Sequence, residues 1–174
     1  MISKTDKYKR FWDLLSEDRL DNSYAEELIT AFRSADSSGE RCTLAIFLGA
    51  IRNGDQRIPD VLFGILNDWN KSDYGGWVVT TYARLYLYYP HIRDRYRQLM
   101  FSGNPTQRRI LASALFFLRN ADRLYLEQAK RLEDEVLSSV ISDFLKVEKD
   151  EEIREHISEH LKVAQSSKHS YQQF

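Results

Sequence analysis

Apolar side chains recur along the chain at every third or fourth position. No segment between turn signals sustains a two-residue alternation, so the pattern predicts helices and no sheet. Residues 4–20 and 23–35 read as two helices, the second opened by Ser23 ahead of Tyr24, Leu28, Ile29 and Phe32. Ser37 followed by Glu40 is a capping box, in which each side chain answers an unsatisfied amide of the first turn. The helix it starts carries Leu44, Ala45, Ile46, Phe47, Leu48, Ala50 and Ile51. It is apolar nearly all round, which predicts burial on most sides before Asn53-Gly54-Asp55 ends it.

Ile58, Val61, Leu62, Ile65, Leu66 and Trp69 then form one amphipathic stripe, with Pro59 acceptable in the first turn. After a polar break at residues 67–76, an apolar helix runs from Trp77 to Pro90, whose ring and missing amide stop it and suit a new first turn. Ile92, Tyr96, Leu99 and Met100 mark the helix that follows. Asn104-Pro105-Thr106-Gln107 supplies a cap, a first-turn proline and a box-closing glutamine for a helix through Ile110 to Leu118. Asp122 is expected to cap the next element, with Leu124, Tyr125, Ala129 and Leu132 inward. The stripe Val136, Leu137, Val140, Ile141, Phe144 and Leu145 either continues that helix or forms another. Asp150, Glu151 and Glu152 favour the positive end of a last helix through Ile153, Ile157 and Leu161. The resulting expectation is a single all-α domain over residues 1–164 and a flexible polar tail over 165–174.

A spacing of 36 and then 30 residues separates the strongly apolar helices that begin near Glu40, Gly76 and Thr106, each with a more amphipathic partner. Arg52-Asn53 recurs as Arg119-Asn120, 67 residues on. On this pattern residues 37–164 resemble HEAT-like and armadillo-like helical repeat proteins. The resemblance implies stacked antiparallel helix pairs, a fragment of an α-solenoid, with one continuous surface for binding. The alternative architecture is an irregular α-helical bundle.

Composition narrows the functional classes. The chain has 174 residues with 25 basic and 26 acidic side chains, a balance that does not suit a molecule built as a whole to coat nucleic acid or an anionic membrane. Its lone cysteine, Cys42, excludes an intrachain disulfide and fits a reducing compartment. The first fifteen residues lack the uninterrupted apolar stretch of a secretory signal. The longest apolar run, residues 44–51, is far short of the ~20 residues that cross a bilayer. A cytoplasmic protein is expected.

No catalytic constellation is visible. His156 and His160 share a helix face one turn apart, yet two ligands do not make a metal site and Glu does not follow the first His. They read as residues of the outer face of a charged helix. Cys42 falls in an apolar helix where a thiol behaves as a small hydrophobe. His91 reads as a surface residue, and Glu133-Asp134-Glu135 as a solvated run. No metal or cofactor is expected.

Charge and aromatic placement say more. Residues 84–131 hold ten Lys or Arg against three Asp or Glu, and residues 132–161 hold three against ten. Arg93 and Arg97, with Arg108 and Arg109 on the next helix, form a ridge suited to phosphates, or to pairing with the acidic helices beside it. The loop from Asp68 to Trp77 mixes aromatics with carboxylates where solvent is expected to reach them, which marks Asp68, Trp69, Asp73, Tyr74 and Trp77 as interface anchors. A small helical protein of this kind is similar to the immunity proteins that neutralise bacterial toxins. That resemblance implies a non-enzymatic protein-binding module that occludes a toxin domain with acidic and aromatic side chains. The alternative is a nucleic-acid-binding helical repeat protein that uses the four arginines.

Overall fold

Several helix starts in this chain rest on a side chain that accepts from a first-turn amide. In the computed structural model, which describes residues 7–70 and 75–171, with side chains through residue 166, Asn104 Oδ1 accepts from the Gln107 amide and Gln107 Oε1 from the Asn104 amide, each at 3.0 Å. The capping box read from the sequence is therefore closed at both ends. The box at Ser37 is only half closed. Ser37 Oγ accepts from the Glu40 amide at 3.2 Å, but the Glu40 carboxylate reaches past the cap to the Asp36 amide.

The chain is all-α, with no strand among the described residues, and it divides into two compact units, Met1–Trp69 and Asn70–Phe174. The first unit holds α1 (Lys9–Ser16), α2 (Ala25–Arg33), α3 (Ser38–Ala50) and α4 (Ile58–Gly64). Here α1 stops short of the predicted end at residue 20, and Asp18, just past the helix, takes a left-handed backbone (φ +56°). The cap before α2 is Asp21 rather than Ser23. Its Oδ1 accepts from the Ser23 amide at 2.9 Å and starts a 3-10 turn, Asn22–Tyr24. As its pattern predicts, α3 buries Leu44, Ala45, Phe47, Leu48 and Gly49. It packs against α1, α2 and α4. The turn after it needs a glycine, since a Cβ on Gly54 would lie 2.5 Å from Ile51 Cγ2 and 3.0 Å from Asn22 Oδ1.

The second unit holds α5 (Trp77–Tyr88), α6 (Arg93–Ser102), α7 (Pro105–Ala114), the single turn α8 (Leu118–Ala121), α9 (Leu126–Ser138), α10 (Val140–Val147) and α11 (Glu151–Tyr171). The break at Ser139 makes two helices of the stretch after Asp122. Asp122 caps as expected, its Oδ1 accepting from the Leu124 amide at 2.9 Å. Leu124, expected inward, points out at 72% exposure, because a 3-10 turn over Arg123–Tyr125 shifts its phase. The helical backbone of α11 runs to Tyr171, through most of the stretch predicted as a tail.

Nearly every side chain of α5 is buried, and it packs on α7 and α8. Helix α6 packs on α7, α9 on α8 and α10, and α11 on α7. Tyrosines supply the core with polar ends that find partners. Tyr96 is fully buried, its hydroxyl donates to the Leu111 carbonyl at 2.9 Å, and its ring meets Tyr86 edge-on at 4.9 Å. The Tyr88 hydroxyl donates to Asp122 Oδ2 at 2.7 Å. Among the described residues no helix is long and apolar enough to cross a membrane.

Candidate functional site

The amphipathic face of α1 places an aromatic row over α3. Phe11 and Trp12 lie 5.6 and 4.8 Å from the Phe47 ring, Trp12 edge-on, and Tyr8 lies 6.3 Å from the same ring. Phe11 also meets Tyr24 edge-on at 6.1 Å. The outer side of this row and the first turn of α3 enclose an open cleft of about 470 Å³. Tyr8 and half-buried Trp12 form one wall, while Ser37, Gly39, Glu40 and Thr43 form the other. Its volume lies in the range of ligand pockets, and its apolar wall with a few convergent polar groups is the usual form of a binding site.

Glu40 is the electrostatic centre of the cleft. Its Oε1 accepts from the Lys7 ammonium and from the Tyr8 hydroxyl, each at 2.5 Å, and its Oε2 accepts from the Asp36 amide at 3.2 Å. Lys7, followed by the Tyr8 hydroxyl, holds the Glu40 carboxyl down at about 2, so it is ionised at neutral pH by a wide margin. Burial, and then the bond to Glu40, push the Tyr8 hydroxyl above its ordinary value, so it stays a donor. The two members of the ion pair differ in exposure, 17% for the Glu40 side chain against 62% for Lys7. The carboxylate is built into the fold and the ammonium is laid over it from outside, 5.2 Å above the Tyr8 ring.

This cleft is not the predicted loop site. Asp68 binds the Arg41 guanidinium through Nε at 3.0 Å and Nη2 at 2.8 Å. Trp69 is buried at 6% exposure, because the 3-10 turn Leu66–Asp68 carries the α4 stripe one step further and returns the indole to the core. Both are structural members of the first unit. Trp77 begins α5 in the second unit and remains half exposed. Asp73 and Tyr74 lie outside the described residues.

The arginine ridge is likewise engaged within the fold. Arg93 Nε donates to the Tyr86 carbonyl at 3.0 Å, and Arg97 donates to the Tyr86 hydroxyl through Nε at 3.2 Å and Nη2 at 3.0 Å. Arg108 forms a two-pronged bond to Glu148, at 2.9 and 3.2 Å, and also donates to the Gly103 carbonyl. Arg109 binds Glu152 at 2.5 Å. The pairing of this ridge with the acidic helices is thus realised at Arg108 and Arg109.

His156 and His160 face inward, not outward as their helix position suggested. His156 Nε2 lies 3.2 Å from Ser113 Oγ on α7, the two imidazoles meet edge-on at 4.6 Å, and His160 lies 5.5 Å from the Phe116 ring. Burial lowers the His156 pKa, and Arg109 and His160 lower it further. Ser113 is buried, so a serine–histidine contact of this kind fastens α11 to α7. Among the described residues no group of three or more His, Cys, Asp or Glu is placed to hold a metal ion. Cys42 is half buried, with Sγ 3.9 Å from the Asp68 carbonyl.

The cleft itself escaped the sequence because it joins residues 32 and 33 positions apart. The one local signal was the apolar face of Tyr8, Phe11, Trp12 and Leu15 beside a box-forming Glu40. Comparison with family models, with curated proteins and with solved structures returns no match for this chain.

Proposed function

We propose that this protein is a non-catalytic, cytoplasmic protein-binding module whose contact surface is centred on the cleft of the first unit. One observation carries this: an open cleft of about 470 Å³ with one wall of Tyr8 and Trp12 and, facing it, an ionised carboxylate fixed by three hydrogen bonds. Tyrosine and tryptophan contribute large contact area at low entropic cost, and a preorganised charge beside them adds selectivity. We further propose the partner to be a toxin domain that the protein occludes, in keeping with the sequence resemblance to immunity proteins, and we read the helices of the second unit as stacked pairs. The order in which α5, α7 and α11 pack, each on the next, supports that reading. The nucleic-acid alternative is weakened because Arg93, Arg97, Arg108 and Arg109 each already bind a group of this chain.

The test uses Gly39, where an added Cβ would meet nothing within 4 Å. A leucine there grows into the cleft without disturbing the helix. The purified chain is mixed with candidate toxin domains encoded beside its gene, and complex formation is measured by gel filtration and calorimetry. A tight complex that Gly39→Leu and Trp12→Ala weaken at least tenfold is expected. A chain that forms no complex, or one that Gly39→Leu leaves intact, would contradict the assignment.

A further inference from the structure

The cleft already holds a cation, and that cation belongs to the chain itself. The Lys7 ammonium pairs with Glu40 and lies over the face of Tyr8, yet its side chain is mostly in solvent. An exposed ion pair of this sort contributes little to stability, and the long lysine stem loses rotamer freedom to hold it. The Glu40 carboxylate, by contrast, is tied down by groups that do not leave: the hydroxyl of buried Tyr8 and the backbone amide of Asp36. A carboxylate offers about four acceptor positions. Tyr8, Lys7 and the Asp36 amide take three of them, so displacement of Lys7 leaves two acceptor positions, one on each oxygen.

Two parallel acceptors, one on each oxygen, match the two-pronged donor edge of a guanidinium, which binds carboxylates more specifically than an ammonium does. A guanidinium is also planar and weakly hydrated, so it stacks on aromatic faces at smaller cost than an ammonium. The Tyr8 ring already carries the Lys7 ammonium over it, and Trp12 lines the same wall beside Glu40. We propose that the cleft captures an arginine side chain of the protein partner, which displaces Lys7 from Glu40 and stacks against Tyr8 and Trp12. Lys7 is then an internal stand-in that covers the carboxylate until a better cation arrives. This inference rests on the cleft being the contact surface, and it adds the chemistry the partner must present.

The probe is a capped Gly-Arg-Gly peptide, with the citrulline and glutamate counterparts as isosteric neutral and acidic controls. Each is titrated into the full chain and followed through the Trp12 indole N–H resonance. The arginine peptide is expected to shift that resonance, with at least tenfold weaker binding for the citrulline peptide and less still for the glutamate one. Lys7→Gln removes the internal competitor and is expected to tighten arginine-peptide binding by about threefold or more, since apparent affinity scales with the fraction of sites open. Glu40→Gln is expected to abolish it. Because Glu40 also accepts from the Asp36 amide at the helix start, Lys7→Gln carries the test should Glu40→Gln fail to fold. Equal response to arginine and citrulline, preference for glutamate, no response to any peptide, or weaker binding by Lys7→Gln would overturn the inference. If these peptides fail while Gly39→Leu still breaks the complex with the protein partner, the cleft remains the contact surface and only the cation inference falls.

Discussion

The Lys7–Glu40 pair of the first unit and the Arg108–Glu148 pair of the second use the same chemistry to opposite ends. Both involve a carboxylate that also accepts from a backbone amide near a helix start, that of Asp36 for Glu40 and that of Asp150 for Glu148. In the second unit the Glu148 side chain is 2% exposed and its arginine 20% exposed, and Arg108 is further held by the Gly103 carbonyl. In the first unit the cation is mostly solvated and opens onto a cleft. Burial of the cation, rather than the identity of the pair, separates a structural tie from an exchangeable contact. A buried pair is costly to break because its survivor stays uncompensated in a low-dielectric setting, whereas an exposed cation returns to water.

The largest expected effect breaks the buried member. Glu148→Ala strands Arg108 and removes the acceptor for the Asp150 amide ahead of α11, and it should cost about 3–5 kcal/mol in urea unfolding. A neutral polar tie in the same unit should cost less. Tyr96→Phe deletes the bond to the Leu111 carbonyl while keeping the ring, with an expected loss of about 1 kcal/mol, measured the same way. His156 adds a pH signature confined to the second unit. Its pKa is lowered in the folded chain from the ordinary 6.5, so the unfolded chain takes the proton first and stability falls as pH drops below about 6.5. The groups around it are Arg109 and Ser113 of α7 and Glu152, Glu159 and His160 of its own helix. His156→Gln should flatten the fall in stability below about pH 6.5 that this histidine contributes. The smallest effect belongs to the cleft. Gly39→Ala meets no neighbour and should be neutral or stabilising by less than about 1 kcal/mol in thermal unfolding, as expected for a helical glycine in open space.

Much of the helix architecture was legible because its signals are local. Asn104 and Gln107 stand three residues apart and close a box whose partners are fixed by helix geometry alone. The stripe from Ile58 to Trp69 was equally plain. Yet the same stripe was evidence against using Trp69 as an exposed anchor, because the 3-10 turn after α4 continues its apolar phase. Leu124 shows the converse, an apolar residue turned out by a 3-10 step that shifts its phase. The inward facing of His156 and His160 follows from their place beside buried Ile153 and Ile157, a phase that charge content alone obscured. The cleft was not legible at all. Glu40 looked like a capping residue, and only the docking of α1 over Phe47 brings Tyr8 and Lys7 to its carboxylate.

Double-mutant cycles on the two pairs, with Lys7→Gln and Glu40→Gln in one and Arg108→Gln and Glu148→Gln in the other, test the difference between them most directly. The coupling free energy of Arg108–Glu148 is expected to be several times that of Lys7–Glu40. Equal couplings, or a larger one at Lys7–Glu40, would make the cleft's cation a structural tie and contradict its role as a replaceable occupant of a binding site.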